Sequence, residues 1–248
     1  MAHEAYIRDV NGAESVVLFI HGFLGSPEHF ERFIALVPEN ISIYNILLKG
    51  HGGSVVDFGN ASMQEWKRQI SDIVDMLSKN YKKIYIAAHS MGTFFAMESA
   101  LKYPDIVKMI FLLQTPLKIG VKPNAAINTF KSFFNIFNDD EISRAYKNSH
   151  SVKLNFRIWE YISWIPRYIE LFKESRAARD KILKLKTPCM IFQSAKDELV
   201  SIKSVKYIPD KENIRLSILD KSAHFIYNKE EIAFLEKKFC EMIENNAC

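Results

Sequence analysis

Cysteine is scarce: three in 248 residues, at Cys189, Cys240 and Cys248, with no pair at metal-ligand or redox spacing. The odd count argues against a disulfide framework and favours reduced thiols in a cytoplasmic setting. Long apolar runs are lacking too. No stretch approaches the ~18 apolar residues that a membrane span needs, and the opening Met-Ala-His-Glu-Ala-Tyr has neither the basic start nor the apolar core of a signal peptide. Glycine and proline, nine and eight in number, are not gathered into a linker, and no repeat or low-complexity tract interrupts the chain. The net charge of +4 is too mild to argue for a nucleic-acid partner. Neither a dinucleotide fingerprint nor a phosphate-loop pattern is present, and no metal or cofactor is expected.

What is there is alternation. Val16 to Ile20 is a continuous apolar run that stops at His21-Gly22, as a strand buried on both faces would. Ser26-Pro27 starts a helix, with an N-cap oxygen followed by proline. Ile41 to Leu48 reads as the next strand. Ser62-Met63-Gln64-Glu65 forms a capping box, and Met63, Trp66, Ile70, Ile73, Val74 and Leu77 follow at helical spacing. Ile84 to Ala88, Val107 to Leu113, Cys189 to Gln193 and Ile214 to Leu219 read as strands. Gly92 to Leu101, and a segment from near Asn228, read as helices. Strands alternating with helices predict an α/β fold with a mainly parallel sheet covered on both faces. A chain of this length buries roughly 70–75% of its unfolded surface, enough for one large domain with a modest insertion.

The insertion breaks the rhythm. Between Gln114 and Cys189 no convincing strand occurs. Ile127, Phe130, Phe134 and Phe137 share one helical face, and from Phe156 to Ile165 the apolar residues point almost all round, until Pro166 interrupts the helix. The expected division is a core of residues 1–116 and 181–248 with a helical cap of residues 117–180.

Chemistry concentrates in three places. Ala88-His89-Ser90-Met91-Gly92 lies between a strand and a helix, where a serine hydroxyl is lifted above the carboxyl ends of the strands. A hydroxyl needs a base to take its proton, and the base needs a carboxylate to fix its tautomer. Of the seven histidines only His150 and His224 follow Ser90. His150 lies in the insertion, whereas His224 lies between the last strand and the last helix, where the base belongs. Asp197, just after a strand, is the acid; Glu198 is its nearest rival and Asp220 a weaker one. The attacked carbonyl also needs preorganised N–H donors. The backbone of Met91 supplies one, and Phe23 in His21-Gly22-Phe23-Leu24-Gly25-Ser26 the other.

These segments, together with Lys49-Gly50-His51-Gly52-Gly53-Ser54, Asp197 with Val200, and Ser222-Ala223-His224, occur in an order that resembles the α/β-hydrolase superfamily, in the branch of monoacylglycerol lipases, bacterial carboxylesterases and serine aminopeptidases. The resemblance runs from about residue 14 to the C-terminus and is poor across the insertion, where the family carries a variable helical cap. Two departures are Ala88 where glycine is usual and Thr93 where a small glycine is common. His51 is expected to be structural, since in such proteins Gly50-His51-Gly52 is a loop near the pocket.

The resemblance implies a serine hydrolase that cleaves carboxylic esters through an acyl-enzyme on Ser90, with a small acyl ester as substrate. The cap holds an excess of cations equal to the whole chain's +4 and is dense in aromatics. Phe130, Phe134, Trp159 and Trp164 are its candidate substrate contacts, and transient contact with a lipid surface is a further expectation. Two alternatives stay open. One is the same triad acting on another acyl bond, as an aminopeptidase or thioesterase; an aminopeptidase would need pocket carboxylates, for which the cap offers Glu160, Glu170 and Glu174. The other is a ligand-binding member of the fold without turnover.

Overall fold

A computed structural model describes residues 3–120 and 150–244. Among them seven strands form one sheet: β1 (Tyr6–Arg8), β2 (Ser15–Ile20), β3 (Ser42–Ile46), β4 (Lys83–His89), β5 (Val107–Leu113), β6 (Cys189–Ser194) and β7 (Ile214–Leu219). Their spatial order is β1-β3-β2-β4-β5-β6-β7. All neighbours are parallel except β1, which runs antiparallel to β3. The α-helices are α1 (Glu31–Ile34), α2 (Val55–Asn60), α3 (Met63–Asn80), α4 (Gly92–Lys102), α5 (Ile165–Lys184) and α6 (Lys229–Glu244).

Period-two alternation sorts the apolar side chains of the strands onto two faces. Val16, Leu18, Ile20, Ile84, Ile86, Ala88, Ile110 and Leu112 face a core shared with α3 and α4. Val17, Phe19, Tyr85, Ala87, Phe111 and Leu113 face a second core with Phe33 of α1 and Leu235, Phe239 and Met242 of α6. Each cover helix contributes large buried anchors. Trp66 of α3 and Phe239 of α6 are fully buried, and truncating such a residue to alanine typically costs ~3–5 kcal/mol. Helix α3 begins as its capping residues require, with the Ser62 hydroxyl accepting from Glu65 N–H.

The strand order also places the site. From β2 the chain steps to β3 on one side, then crosses to β4 on the other, so the connections leaving β2 and β4 part in opposite directions. The crevice at the carboxyl ends of such a pair is where open α/β sheets bind ligands. His21–Ser26 leaves β2 there, and Ser90 leaves β4 there.

Several sequence expectations need correction. The segment after Ser26 is a 3-10 turn, Pro27–Phe30, leading into the one-turn α1, although Ser26 caps it through Glu28 N–H as expected. Strand β3 is shorter than Ile41 to Leu48. Pro166 does not interrupt a helix: a 3-10 helix, Ile158–Trp164, precedes it, and Pro166 sits in the first turn of α5, where its missing N–H leaves no intrahelical bond unmade. Helix α5 brings Ala178 and Ile182 into the core shared with α3 and α4. Strand β1 has no apolar pattern to announce it; its Arg8 donates to the carbonyls of Val37, Pro38 and Ile41. Ile127, Phe130, Phe134 and Phe137 lie outside the described residues.

Candidate active site

At the end of β4 the backbone turns sharply. Ser90 has φ of +52°, a left-handed conformation that a non-glycine residue adopts at a cost of ~1–3 kcal/mol. Its surroundings hold it there. Ser90 N–H donates to Leu113 O at 2.9 Å, and Ser90 O accepts from Thr93 N–H at 3.0 Å and from the Thr93 hydroxyl at 2.6 Å. Thr93, a departure from the family pattern, therefore adds a bond to the turn. Ala88, the other departure, is fully buried on β4 opposite Ile20 and Leu112, and its methyl belongs to the core. The glycines are less negotiable. A Cβ on Gly92 would lie 2.3 Å from Ile20 O, and one on Gly22 would lie 2.8 Å from Ser90 Cβ.

Asp197 and His224 come from the connections after β6 and β7. Asp197 Oδ2 accepts from His224 Nδ1 at 2.7 Å, and both residues are 2% exposed. Asp197 Oδ1 accepts from Leu199 N–H at 2.8 Å and Val200 N–H at 2.7 Å, which fixes the carboxylate's orientation. With the carboxylate accepting, the Nδ1 atom carries the hydrogen, which leaves Nε2 as the ring nitrogen turned away from the acid. Glu198, the rival acid, meets the backbone of His224. Its Oε2 accepts from His224 backbone N–H at 3.2 Å. Asp220 is exposed.

His89, the residue before Ser90, contacts His224. His89 Nε2 donates to His224 O at 3.1 Å, and the two rings lie 4.7 Å apart. Among the described contacts no hydrogen bond yet joins the Ser90 hydroxyl to the imidazole. Such contacts are often long before substrate binds. Both backbone groups of His224 are thus held by side chains, one beside the acid and one beside the serine. Sequence reading missed this pair of ties. The signal was only that Glu198 and His89 flank the chosen residues.

The connection after β2 is a tight turn in which Gly25 N–H donates to Gly22 O at 3.0 Å. His21 supports it: Nδ1 donates to Gly22 O at 3.0 Å while Nε2 accepts from Leu48 N–H at 3.0 Å. Burial pushes His21 down to about 4, so the neutral tautomer that both bonds require persists. Among the described residues neither Phe23 N–H nor Met91 N–H is given to another protein acceptor. The Phe23 ring packs on Phe58, Trp66 and Tyr168, the last from α5. His51 stacks near His21, Phe58 and Trp66, buried, in the structural position expected of it.

The cap residues separate clearly. Trp164 is buried, its indole N–H donating to Val55 O at 2.8 Å, whereas Trp159 is 64% exposed. Phe130 and Phe134 lie outside the described residues. The three carboxylates an aminopeptidase could have used are engaged elsewhere. Glu160 pairs with Asn155 and Arg157, and Glu170 with Met63 N–H and Arg167. Glu174 joins Lys67 and Lys181 in a four-charge ring with Glu98. Among the described residues no group of three or more His, Cys, Asp or Glu is arranged to hold a metal ion, and no helix is long and apolar enough to cross a membrane.

Chemically, this is an imidazole oriented by a buried carboxylate, beside a strained serine, with two backbone donors nearby. Comparison with known proteins bears on the fold and the family. A metagenome-derived lipolytic enzyme has a similar structure, with a TM-score of 0.71 at 19% identity over 98% of both chains. The monoacylglycerol lipase of Paleococcus ferrophilus gives 0.70 at 14% identity, over 98% of this chain and 100% of its own. A probable lysophospholipase of Arabidopsis thaliana, BODYGUARD 1, is 30% identical over 113 residues, 43% of this chain and 24% of its own length. The matches to curated relatives span between 24% and 45% of those proteins. The model of the serine aminopeptidase family, S33, matches residues 11–231, and the chain therefore belongs to that family and has the α/β-hydrolase fold.

Proposed function

We propose that the chain is a serine hydrolase that cleaves carboxylic esters through an acyl-enzyme on Ser90. The observation that carries this reading is the buried Asp197–His224 bond of 2.7 Å beside a serine held at positive φ. In the first half-reaction Ser90 Oγ bonds to the ester carbonyl carbon as His224 Nε2 takes the hydroxyl proton. Phe23 N–H and Met91 N–H stabilise the oxyanion, and the alcohol leaves with the proton from His224. Water then attacks the acyl-enzyme by the same path and releases the acid.

Ester rather than aminoacyl amide is favoured because Glu160, Glu170 and Glu174 are each neutralised by a partner, leaving none of them to hold a substrate ammonium. The structural neighbours, a lipolytic enzyme and a monoacylglycerol lipase, point the same way. The cap of residues 117–180 is the substrate cover in this reading. Phe156, Ile158, Trp159 and Ile162 are more than half exposed beside Arg157, which supports transient contact with a lipid surface. The buried free thiol of Cys189 supports a cytoplasmic setting.

Initial rates on p-nitrophenyl esters of increasing acyl length, alongside monoacylglycerols and aminoacyl amides, test the reading. Hydrolysis of esters is expected. A preference for aminoacyl amides alone would overturn it.

A further inference from the structure

The turn that presents Phe23 is strained. Gly22 O accepts from Gly25 N–H at 3.0 Å, so Phe23 and Leu24 are its two central residues. Leu24 has φ of +57°. Positive φ at the second central position is the type II arrangement, which glycine or asparagine normally occupies. A leucine there costs ~1–2 kcal/mol. Left alone, the turn would release that strain by rotation about Leu24, which swings the Leu24 and Gly25 carbonyls and opens the loop that carries Phe23 N–H.

One residue outside the turn opposes that relaxation. Ser151, 1% exposed, lies in the long connection between β5 and β6. Its backbone N–H donates to Leu24 O at 3.1 Å and its hydroxyl to Gly25 O at 2.5 Å. Two successive carbonyls are therefore fixed by a residue 126 positions away from Gly25. The segment is itself anchored, since Lys153 N–H donates to Gly53 O at 2.8 Å. Neither bond could be read from the sequence, in which Ser151 belongs to no motif.

We propose that Ser151 is a positioning residue for the oxyanion hole, holding the Gly22–Gly25 turn in the form that aims Phe23 N–H at the developing charge. It thereby ties the β5–β6 insertion to transition-state stabilisation. The proposal rests on the ester-hydrolase reading above.

The test is a double-mutant cycle on kcat and KM for a p-nitrophenyl ester, with Ser151→Ala, Leu24→Gly and the double variant. Losing an oxyanion donor outright costs ~10²–10³ in rate, and loosening one should cost less. Ser151→Ala is expected to lower kcat about tenfold, with KM within about twofold. Glycine adopts positive φ without strain, so in the Leu24→Gly background the Ser151→Ala effect should shrink to less than about threefold. Ser151→Cys keeps the volume and weakens the donor, so a poorly folding alanine variant does not end the test. A kcat within twofold of wild type for both Ser151 variants would overturn the proposal. So would an equal loss in both Leu24 backgrounds, or a rise in KM alone. A wild-type chain with neither turnover nor a Ser90 adduct would instead overturn the ester reading, and this inference with it.

Discussion

Acidification should destabilise this protein before its carboxylates titrate, because it buries histidines in the neutral form. Burial pushes His21 down to about 4 and His29 to about 3, and holds His51 and His89 well below the usual value of 6.5. At His21 and His29 the unfolded chain binds protons below pH 6.5, whereas the folded chain refuses them until pH 3–4. Stability therefore rises with pH across that window and is fully present above it. At pH 5, His21 and His29 each cost about 2 kcal/mol relative to pH 7.5. Together that is a large share of the roughly 5–15 kcal/mol that stabilises a typical domain. For a chain of this size each kcal/mol moves Tm by ~2–4 °C, so the two histidines alone should lower Tm by about 8–16 °C. Paired carboxylates such as Glu174, held below 4.5, lose their contribution only at lower pH, which leaves the interval from 5 to 7 to the histidines. Differential scanning calorimetry from pH 5 to 7.5 reads the effect directly. The variant His29→Phe removes a buried ring nitrogen that has no hydrogen-bond partner. It should flatten the slope by about 2 kcal/mol at pH 5. A Tm constant to within ~2 °C over the interval, or an unchanged slope in that variant, would refute the reasoning.

Replacing Glu198 with alanine orphans the His224 N–H, and should lower kcat about tenfold with little change in KM; Glu198→Gln keeps an acceptor oxygen and should lose less than about threefold in steady-state assays. The variant Thr93→Val removes the hydroxyl bond to Ser90 O and should destabilise the fold by ~1 kcal/mol in urea titration. By contrast, Gly92→Ala drives a methyl into Ile20 O and should cost at least ~2 kcal/mol in the same titration, because backbone rather than a flexible side chain must give way.

The parts of the fold written in local pattern were legible. The run from Val16 to Ile20 became β2, buried on both faces, and the Met63–Leu77 periodicity became α3. The pairing of Asp197 with His224 followed from a base that must come late and an acid that must close a strand. What the sequence concealed depends on contacts between distant segments. Strand β1 is exposed and gains its place from pairing with β3 and from Arg8. Gln114, at φ of +53°, bonds Ser194 through both ends of its amide and so couples the ends of β5 and β6 beneath the acid loop. Pro166 was read as a breaker because proline both ends and begins helices, and only the preceding 3-10 turn decides which. Thr93 was read as a departure from a motif; its hydroxyl bond to Ser90 O shows that the turn can be closed by a side chain as well as by a small residue.

Intact-mass analysis after exposure to a fluorophosphonate tests the chemistry at its centre. One adduct is expected on the native protein, located to Ser90, with the rate of its formation reduced ~10²–10⁴-fold in His224→Ala. An unlabelled native chain, or equal labelling of Ser90→Ala, would contradict it.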